Sequence, residues 1–240
     1  MRYERKYRIE AMDHHAVRAI VDGHPVSFRK LFPDRQVNNI YLDTRDMSFF
    51  RENLSGLAQR RKYRVRWYGA DLLNISAPIL EIKIKDTELG EKVSAPLPDF
   101  SMGSFTPLRE AVGQRLRELA EAAPALAFPA VASVEESADI QRVPFPVQDL
   151  VPSLLNTYKR AYLISNDGRF RLTIDREMRF YGINHHFRPY RNFSPDHAVV
   201  VEVKYEAEHD QFYDGIGQYL PFRLGKNSKY VNGVLLTGNV

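Results

Sequence analysis

The feature that most constrains the fold of this chain is a run of alternating charged and apolar side chains over residues 62–67. The sequence there is K-Y-R-V-R-W, with cations at the even positions and large apolar groups at the odd ones. Successive side chains of a β-strand point to opposite faces, so a strand here has one cationic and one apolar face. Taken alone, such a strand is typical of a sheet whose polar face lies in bulk water.

The same layout recurs elsewhere, and the recurrence favours a more specific fold. Five further segments place charged residues opposite apolar ones: 4–8, 80–85, 158–163, 169–175 and 201–205. If helices cover the apolar faces, the charged faces need a wet space to point into. A closed barrel with a solvent-filled lumen provides one. The pattern therefore predicts an α+β fold, a β-barrel tunnel with a polar lumen and helices packed outside.

Length and composition limit the classes of protein to which this chain can belong. A chain of 240 residues predicts a single domain over 1–240, and 27% charged with 44% hydrophobic residues is typical of a soluble globular protein. The absence of cysteine excludes disulfides, thiolate metal sites and a thiol nucleophile. Met1–Glu10 has no apolar signal-peptide core, and the most apolar window, Ala122–Ala132, contains two prolines. We therefore expect no membrane segment and a cytoplasmic location.

The net charge of +4 is concentrated on the predicted lumen. Eleven basic residues fall at lumen positions: Lys6, Lys62, Arg64, Arg66, Lys83, Lys85, Arg160, Arg171, Lys204, Lys226 and Lys229. Four acids join them: Glu4, Glu81, Asp175 and Glu202. The lumen is thus +7 and the rest of the chain −3. Basicity inside a pore suits a slim polyanion, whereas a nucleic acid duplex needs an exposed basic face.

Local signals place several elements. Asp13 predicts the start of a helix over 14–22 that ends at Gly23, and Thr106-Pro107 predicts another helix start. Asn166-Asp167-Gly168 predicts a hairpin turn between strands 157–165 and 169–176. Further strands are predicted over 2–10, 37–43, 60–68, 79–85, 92–94 and 198–205, and further helices over 46–53, 149–155 and 209–219. Residues 180–194 fit no element clearly.

The four acids are the best candidates for metal ligands. Carboxylate oxygens suit Mg²⁺ or Mn²⁺, and Glu202 is the strongest candidate among them. The alternative role is charge balance for neighbouring cations, and for Glu81 and Asp175 both interpretations stay open. Other motifs fail: Gly225-Lys226-Asn227-Ser228 lacks the first glycine of a phosphate-binding loop, because Leu220 stands there.

Eight short motifs in order carry a family resemblance. They are Y-E-R-K-Y (3–7), N-N-I-Y-L-D-T (38–44), K-Y-R-V-R-W-Y (62–68), L-E-I-K-I-K (80–85), Y-K-R-A-Y (158–162), F-R-L-T-I-D (170–175), V-E-V-K-Y (201–205) and S-K-Y-V-N-G (228–233). Together they resemble the VTC domain, the polyphosphate polymerase domain of the triphosphate tunnel metalloenzyme superfamily. The resemblance runs from residue 3 to about 233. It implies an antiparallel barrel tunnel in which inward Arg and Lys hold a nucleoside triphosphate and a polyphosphate chain, with a divalent metal on glutamate.

The resemblance also implies roles for individual residues. The catalytic set is Arg64, Arg66, Lys83, Arg160, Arg171 and Glu202. The further residues expected to bind phosphate are Lys6, Lys92, Tyr158, Lys204, Lys226, Ser228 and Lys229. Lys62 and Lys85 join them because they lie at the charged positions of their alternating segments. The metal, Mn²⁺ or Mg²⁺, would lie on Glu202, with Glu4 and Glu81 as further ligands. The chain ends soon after the S-K-Y motif, so we expect little chain to be left for a C-terminal helix that plugs the tunnel.

The resulting expectation is an ATP-dependent polyphosphate polymerase that transfers the terminal phosphoryl group to a growing chain. The expected partners are ATP or another nucleoside triphosphate and inorganic polyphosphate, triphosphate or pyrophosphate. One alternative is hydrolysis of tripolyphosphate or a nucleoside triphosphate in the same tunnel. The other is a non-catalytic polyphosphate-binding module, which would gain nothing from an acid such as Glu202 among so many cations.

Overall fold

A computed structural model describes residues 2–86, 89–122, 128–129, 142–143, 150–183 and 193–238. The helices are α1 (His14–Asp22), α2 (Ser48–Ser55), α3 (Thr106–Ala122), α4 (Asp214–Gly217) and α5 (Lys229–Thr237), with a 3₁₀ segment at Ala207–Phe212. The longer strands are β1 (Arg2–Ile9), β2 (Arg29–Asp43), β3 (Gln59–Tyr68), β5 (Ile79–Asp86), β6 (Leu89–Pro96), β10 (Val151–Ile164), β11 (Arg171–Gly182) and β13 (Val199–Glu206). The short ones are β4 (Asn74–Ile75), β7 (Phe100–Ser101), β8 (Phe128–Pro129), β9 (Arg142–Val143) and β12 (Ser194–Asp196).

The fold is a mixture of helices and a large antiparallel sheet. The sheet has the strand order β1-β13-β11-β10-β2-β3-β5-β6, and β12 pairs with β11. In the described part of the chain this order is linear, with β1 and β6 as its two ends, so the predicted closed barrel is not confirmed. The alternating pattern required only that one face of each strand be wet, and an open sheet meets that requirement as well.

The chain divides into two compact units. The first contains Met1–Ile40, Tyr68–Ala70 and Leu154–Val240, and the second contains Tyr41–Trp67 and Asp71–Ser153. The single domain expected over 1–240 stays a prediction.

In the first unit, the apolar face of the sheet is covered by helix α1. Its first turn is fixed by Asp13, whose carboxylate accepts a hydrogen bond from the backbone N–H of Ala16 at 2.9 Å, and it ends at Gly23, as predicted. Val17 and Val21 are fully buried against the odd-numbered side chains of β13 and the even-numbered ones of β11. Each of these strands buries the side chains of one face. The alternate side chains, which include the charged groups, therefore lie on the opposite face.

In the second unit, β3, β5 and β6 follow the same rule. Tyr63, Val65 and Trp67 are buried, and the ring of Phe49 from α2 lies 5.0 Å from that of Tyr63. Helix α2 ends at Gly56, whose φ of 70° places it in the left-handed region that favours glycine. Helix α3 buries Leu108, Val112 and Leu116, which lie four residues apart on one side of the helix.

Three sequence-based assignments need correction. The helix expected over 149–155 is wrong from Val151 onward, because β10 begins there and pairs with β11 from Leu154. Strand β2 begins at Arg29 rather than Val37. The helix expected over 209–219 is instead the 3₁₀ segment followed by the short α4. Of the region 180–194, β11 continues to Gly182 and β12 begins at Ser194, and 184–192 lie outside the described residues.

Near the end of the chain, Lys229–Thr237 form helix α5. The hydroxyl oxygen of Ser228 caps it by accepting from the N–H of Val231 at 3.3 Å. A methyl group added at Gly233 would lie 2.4 Å from a ring carbon of Phe180 and 2.5 Å from Leu154, so only glycine lets the helix lie this close to the strands. Among the described residues, no helix is long and apolar enough to cross a membrane.

Candidate phosphate-binding site

The charged face of the first unit is built by the register of three strands. On β13, Glu202 lies opposite Lys6 of β1 on one side and Thr173 of β11 on the other. Two residues further on, Lys204 lies opposite Glu4 and Arg171. Each acid therefore has a cation as its cross-strand neighbour, the arrangement that favours ionised side chains on one sheet face.

Glu202 is the more buried of these two glutamates, with 7% of its surface exposed. The ammonium group of Lys204 lies 2.5 Å from its Oε1 and 3.9 Å from Oε2 of Glu4, and Lys6 lies 2.6 Å from Oε1 of Glu4. Burial by itself would raise the pKa of Glu202, but the charges of Lys204, Lys6 and Arg160 lower it well below its usual value. Glu202 is thus a buried carboxylate that stays ionised.

A second buried carboxylate, Asp175, lies in the same unit. Arg160 donates to both of its oxygens at 2.5 and 2.7 Å, and Lys229 at the start of α5 donates to Oδ2 at 2.6 Å. Both cations also lie over the ring of Tyr158, at 5.2 and 4.8 Å from its centre. Burial opposes ionisation of Asp175, but the charges of Arg160 and Lys229 lower its pKa, an arrangement that supports charge balance.

The second unit holds its own cationic cluster around Glu81, which is only 4% exposed. Arg64 lies 2.5 Å and Arg66 3.5 Å from Oε2, and Lys92 binds Oε1. Burial would raise the pKa of Glu81, but these three cations lower it to about 2. Both oxygens are engaged by cations, which supports charge balance rather than the metal role expected for Glu81.

Lysines stand side by side on three neighbouring strands of that unit. Lys62 of β3 lies directly opposite Lys83 of β5, and Lys83 lies opposite Lys92 of β6. Like charges placed opposite one another are destabilising unless an anion lies between them. This row and the Glu81 cluster therefore form one basic face on β3, β5 and β6.

The other residues predicted to bind phosphate are at the surface. Arg171, Lys226 and Lys85 are exposed, and Arg171 forms no ion pair within the described part of the chain. Ser228 is the N-cap of α5. Their roles as phosphate ligands stay predictions.

One residue of this face was not singled out in the sequence. Thr173 lies on β11 between Glu202 of β13 and Tyr162 of β10, and its buried hydroxyl oxygen has no hydrogen-bond partner among the described residues. A buried polar atom without a partner usually costs free energy, which makes it a candidate contact for a ligand. The sequence signal was its position two residues from both Arg171 and Asp175, which places the three side chains on one face of β11.

The acids of the first unit suit a divalent cation in their chemistry. Glu202 and Glu4 offer carboxylate oxygens and face the same ammonium group of Lys204. In the described residues, no group of three or more acidic or histidine side chains could hold a metal ion. Mg²⁺ commonly binds one or two carboxylates together with substrate phosphates, so these residues fit an ion whose remaining ligands come from the substrate.

The fold and the site together define the class of protein. It is an α+β protein with a large antiparallel sheet, and the charged face of this sheet carries ionised carboxylates among arginines and lysines. The family model for the VTC domain matches residues 1–237, and the chain belongs to this family. None of the curated proteins matches it.

Three solved structures are similar to the chain at low identity. A proposed adenylate cyclase from Vibrio parahaemolyticus has 10% identity and a TM-score of 0.49 over 95% of both chains. A proposed adenylyl cyclase from Hippeastrum, described as having a dominant triphosphatase activity, has 14% identity and a TM-score of 0.48 over 100% of this chain and 97% of its own. A protein of Pyrococcus horikoshii OT3 has 12% identity and a TM-score of 0.42 over 97% and 95%.

Proposed function

We propose that this protein is a metal-dependent phosphotransferase that extends inorganic polyphosphate with the terminal phosphoryl group of ATP. Membership of the VTC family supports a role in handling polyphosphate or triphosphate. The observation that carries the catalytic part is Glu202, a buried carboxylate kept ionised among Lys204, Lys6 and Arg160. A protein that only bound polyphosphate would lose affinity from an acid at this position, whereas an enzyme that needs a divalent cation requires one.

In this proposal the protein works by positioning and charge. A terminal oxygen of the polyphosphate chain attacks the γ-phosphorus of ATP, the bond to the β,γ-bridging oxygen breaks, ADP leaves, and the chain is one phosphate longer. A divalent ion, when bound by Glu202 and Glu4, would neutralise charge that develops on the phosphate oxygens. No side chain acts as a nucleophile.

The cations supply the rest of the stabilisation. Arg171 and Lys226 are exposed and can reach phosphate oxygens directly, whereas Lys204 pairs with Glu202 and Lys6 pairs with Glu4. In the second unit, we propose that Arg64, Arg66 and Lys83 bind phosphate oxygens too. Arginines bind two oxygens at once and lysines act as point charges, which gives affinity that rises with the number of phosphates.

The experiment is to incubate the purified protein with ATP and Mn²⁺ and stain a gel for polyphosphate. Polymer formation supports the proposal. Release of orthophosphate without polymer would make the protein a hydrolase, with water as the acceptor. Binding without turnover would make it a binding module. In calorimetry, tripolyphosphate should bind far more tightly than orthophosphate, with an affinity that falls as salt rises. Equal affinities for the two anions would contradict the proposed site.

Glu202→Gln separates the role of the metal from phosphate binding. The variant keeps the side-chain shape and removes the negative charge. We expect it to fold, to bind tripolyphosphate without metal at least as tightly as the wild type, and to lose most turnover. The matched control is Glu177→Gln on β11, an exposed glutamate whose ion pair with Lys159 spans 2.7 Å. Wild-type turnover in Glu202→Gln would make Glu202 only a partner for Lys204.

A further inference from the structure

An aromatic cluster surrounds one arginine on the first unit. The guanidinium carbon of Arg35 lies 5.6 Å from the ring centres of Phe32 and Tyr68, and 5.9 Å from that of Tyr162. The rings of Phe32 and Tyr162 meet edge to face at 6.0 Å. We call these four residues the Arg35 cluster.

The cluster is unusual because it is exposed and has no counter-ion among the residues that the structure describes. Phe32 and Tyr68 keep 47% and 44% of their surfaces exposed. Within the described part of the chain the guanidinium of Arg35 forms no ion pair or hydrogen bond, and the neighbouring Asp34 pairs instead with Arg176 and Lys30. Exposed aromatic rings around an arginine whose N–H groups are unused are a common recognition surface for planar, polar groups.

The position of Tyr162 connects the cluster to the charged face. Tyr162 is two residues from Arg160 on the same face of β10, about 7 Å along the strand, and lies directly opposite Thr173. Thr173 in turn lies opposite Glu202. A ligand with phosphates near Arg160 and Glu202 and a planar group a few ångströms away would reach the Arg35 cluster.

We propose that the Arg35 cluster binds the base of the nucleoside triphosphate, and this rests on the proposed function. The base stacks on the exposed ring of Tyr68 or Phe32, and Arg35 donates to acceptor atoms of the base or ribose. Stacking on aromatic rings tolerates different bases, so every nucleoside triphosphate binds, and purines, with their larger ring surface, bind more tightly than pyrimidines. A second protein is the less favoured occupant, because three rings make a small contact area.

Calorimetry with ATP and tripolyphosphate on the same variants tests the assignment, because the two ligands share the triphosphate and differ in the base. At least one of Tyr68→Ala and Phe32→Ala, the variant that removes the ring under the base, should weaken ATP binding by about five- to hundredfold, and both should leave tripolyphosphate binding unchanged. Tyr68→Phe keeps the ring and should restore ATP affinity. The matched control is Phe212→Ala, another exposed ring, which lies 4.7 Å from the guanidinium of Arg169 and should change neither ligand.

The outcomes separate this inference from the proposed function. If wild-type protein binds tripolyphosphate no better than orthophosphate, the phosphate site itself is wrong. If it binds tripolyphosphate tightly but Tyr68→Ala and Phe32→Ala leave ATP affinity intact, the base does not lie on this cluster. Equal losses for both ligands, with Tyr68→Phe failing to restore them, would mean that the rings only support the fold.

Discussion

The charge cluster around Glu81 gives the sharpest quantitative prediction. Glu81→Gln removes the negative charge that Glu81 places beside Arg64 and Arg66, and both arginines are largely buried. The pKa of Glu81 falls from 4.5 to about 2, and at 1.36 kcal/mol per pKa unit this corresponds to about 3 kcal/mol of stabilisation. Removing one partner of a buried ion pair typically costs about 3–5 kcal/mol, so the two estimates agree.

The assay is urea unfolding at pH 7, with and without tripolyphosphate. The variant should lose about 3 kcal/mol of unfolding free energy, and tripolyphosphate should restore more stability to it than to the wild type, because the anion replaces the missing charge. The control Glu118→Gln breaks an exposed ion pair with Arg115 in the same unit and should cost less than about 1 kcal/mol.

The pH dependence follows from the same shift. Because the folded pKa of Glu81 is lowered, its stabilisation is complete above about 4.5, the unfolded value, and is lost as the pH falls toward about 2. Glu81→Gln should therefore flatten the wild-type loss of stability over that range. A variant as stable as the wild type at pH 7, with an unchanged acid profile, would refute the reasoning, since the three cations would then need no buried anion.

Two further predictions concern single residues. Gly233→Ala should destabilise the protein by about 1–3 kcal/mol in urea unfolding, because the new methyl group meets Phe180 and Leu154, whereas Gly215→Ala, with open space around it, should be neutral or mildly stabilising; equal stabilities would show that α5 can shift freely. Thr173→Val should leave stability unchanged or slightly raised, since the buried hydroxyl has no partner, while weakening tripolyphosphate binding in calorimetry; unchanged affinity would remove Thr173 from the site.

Much of the fold could be predicted from the alternation of residue types and from local cap and turn residues in the sequence. The two-residue alternation at 62–67 and 201–205 assigned β3 and β13 and the face that each charge occupies. Asp13 and Gly23 bounded α1, and Asn166-Asp167-Gly168 joined β10 to β11. These features depend on backbone geometry and on the burial of one face, which neighbouring residues determine among themselves.

Tertiary structure decided what depends on partners far away in the chain. Residues 151–155 have weak local preference and became strand because β11 offers a pairing edge, with Asn156 of the same strand bonded to Asn39 at 2.9 Å. The alternation of charged and apolar residues could not distinguish a closed barrel from the linear strand order, since both leave one face of each strand in contact with solvent.

The details of the site were likewise set by long-range contacts. Lys229 reaches Asp175 only because Gly233 lets α5 lie against the strands. The unpartnered hydroxyl of Thr173 and the rings around Arg35 arise from registers between strands distant in sequence. The sequence by itself determined which residues could carry charge to the wet face, and the fold decided which charges met, because ion pairs and ring contacts form between side chains that only packing brings together.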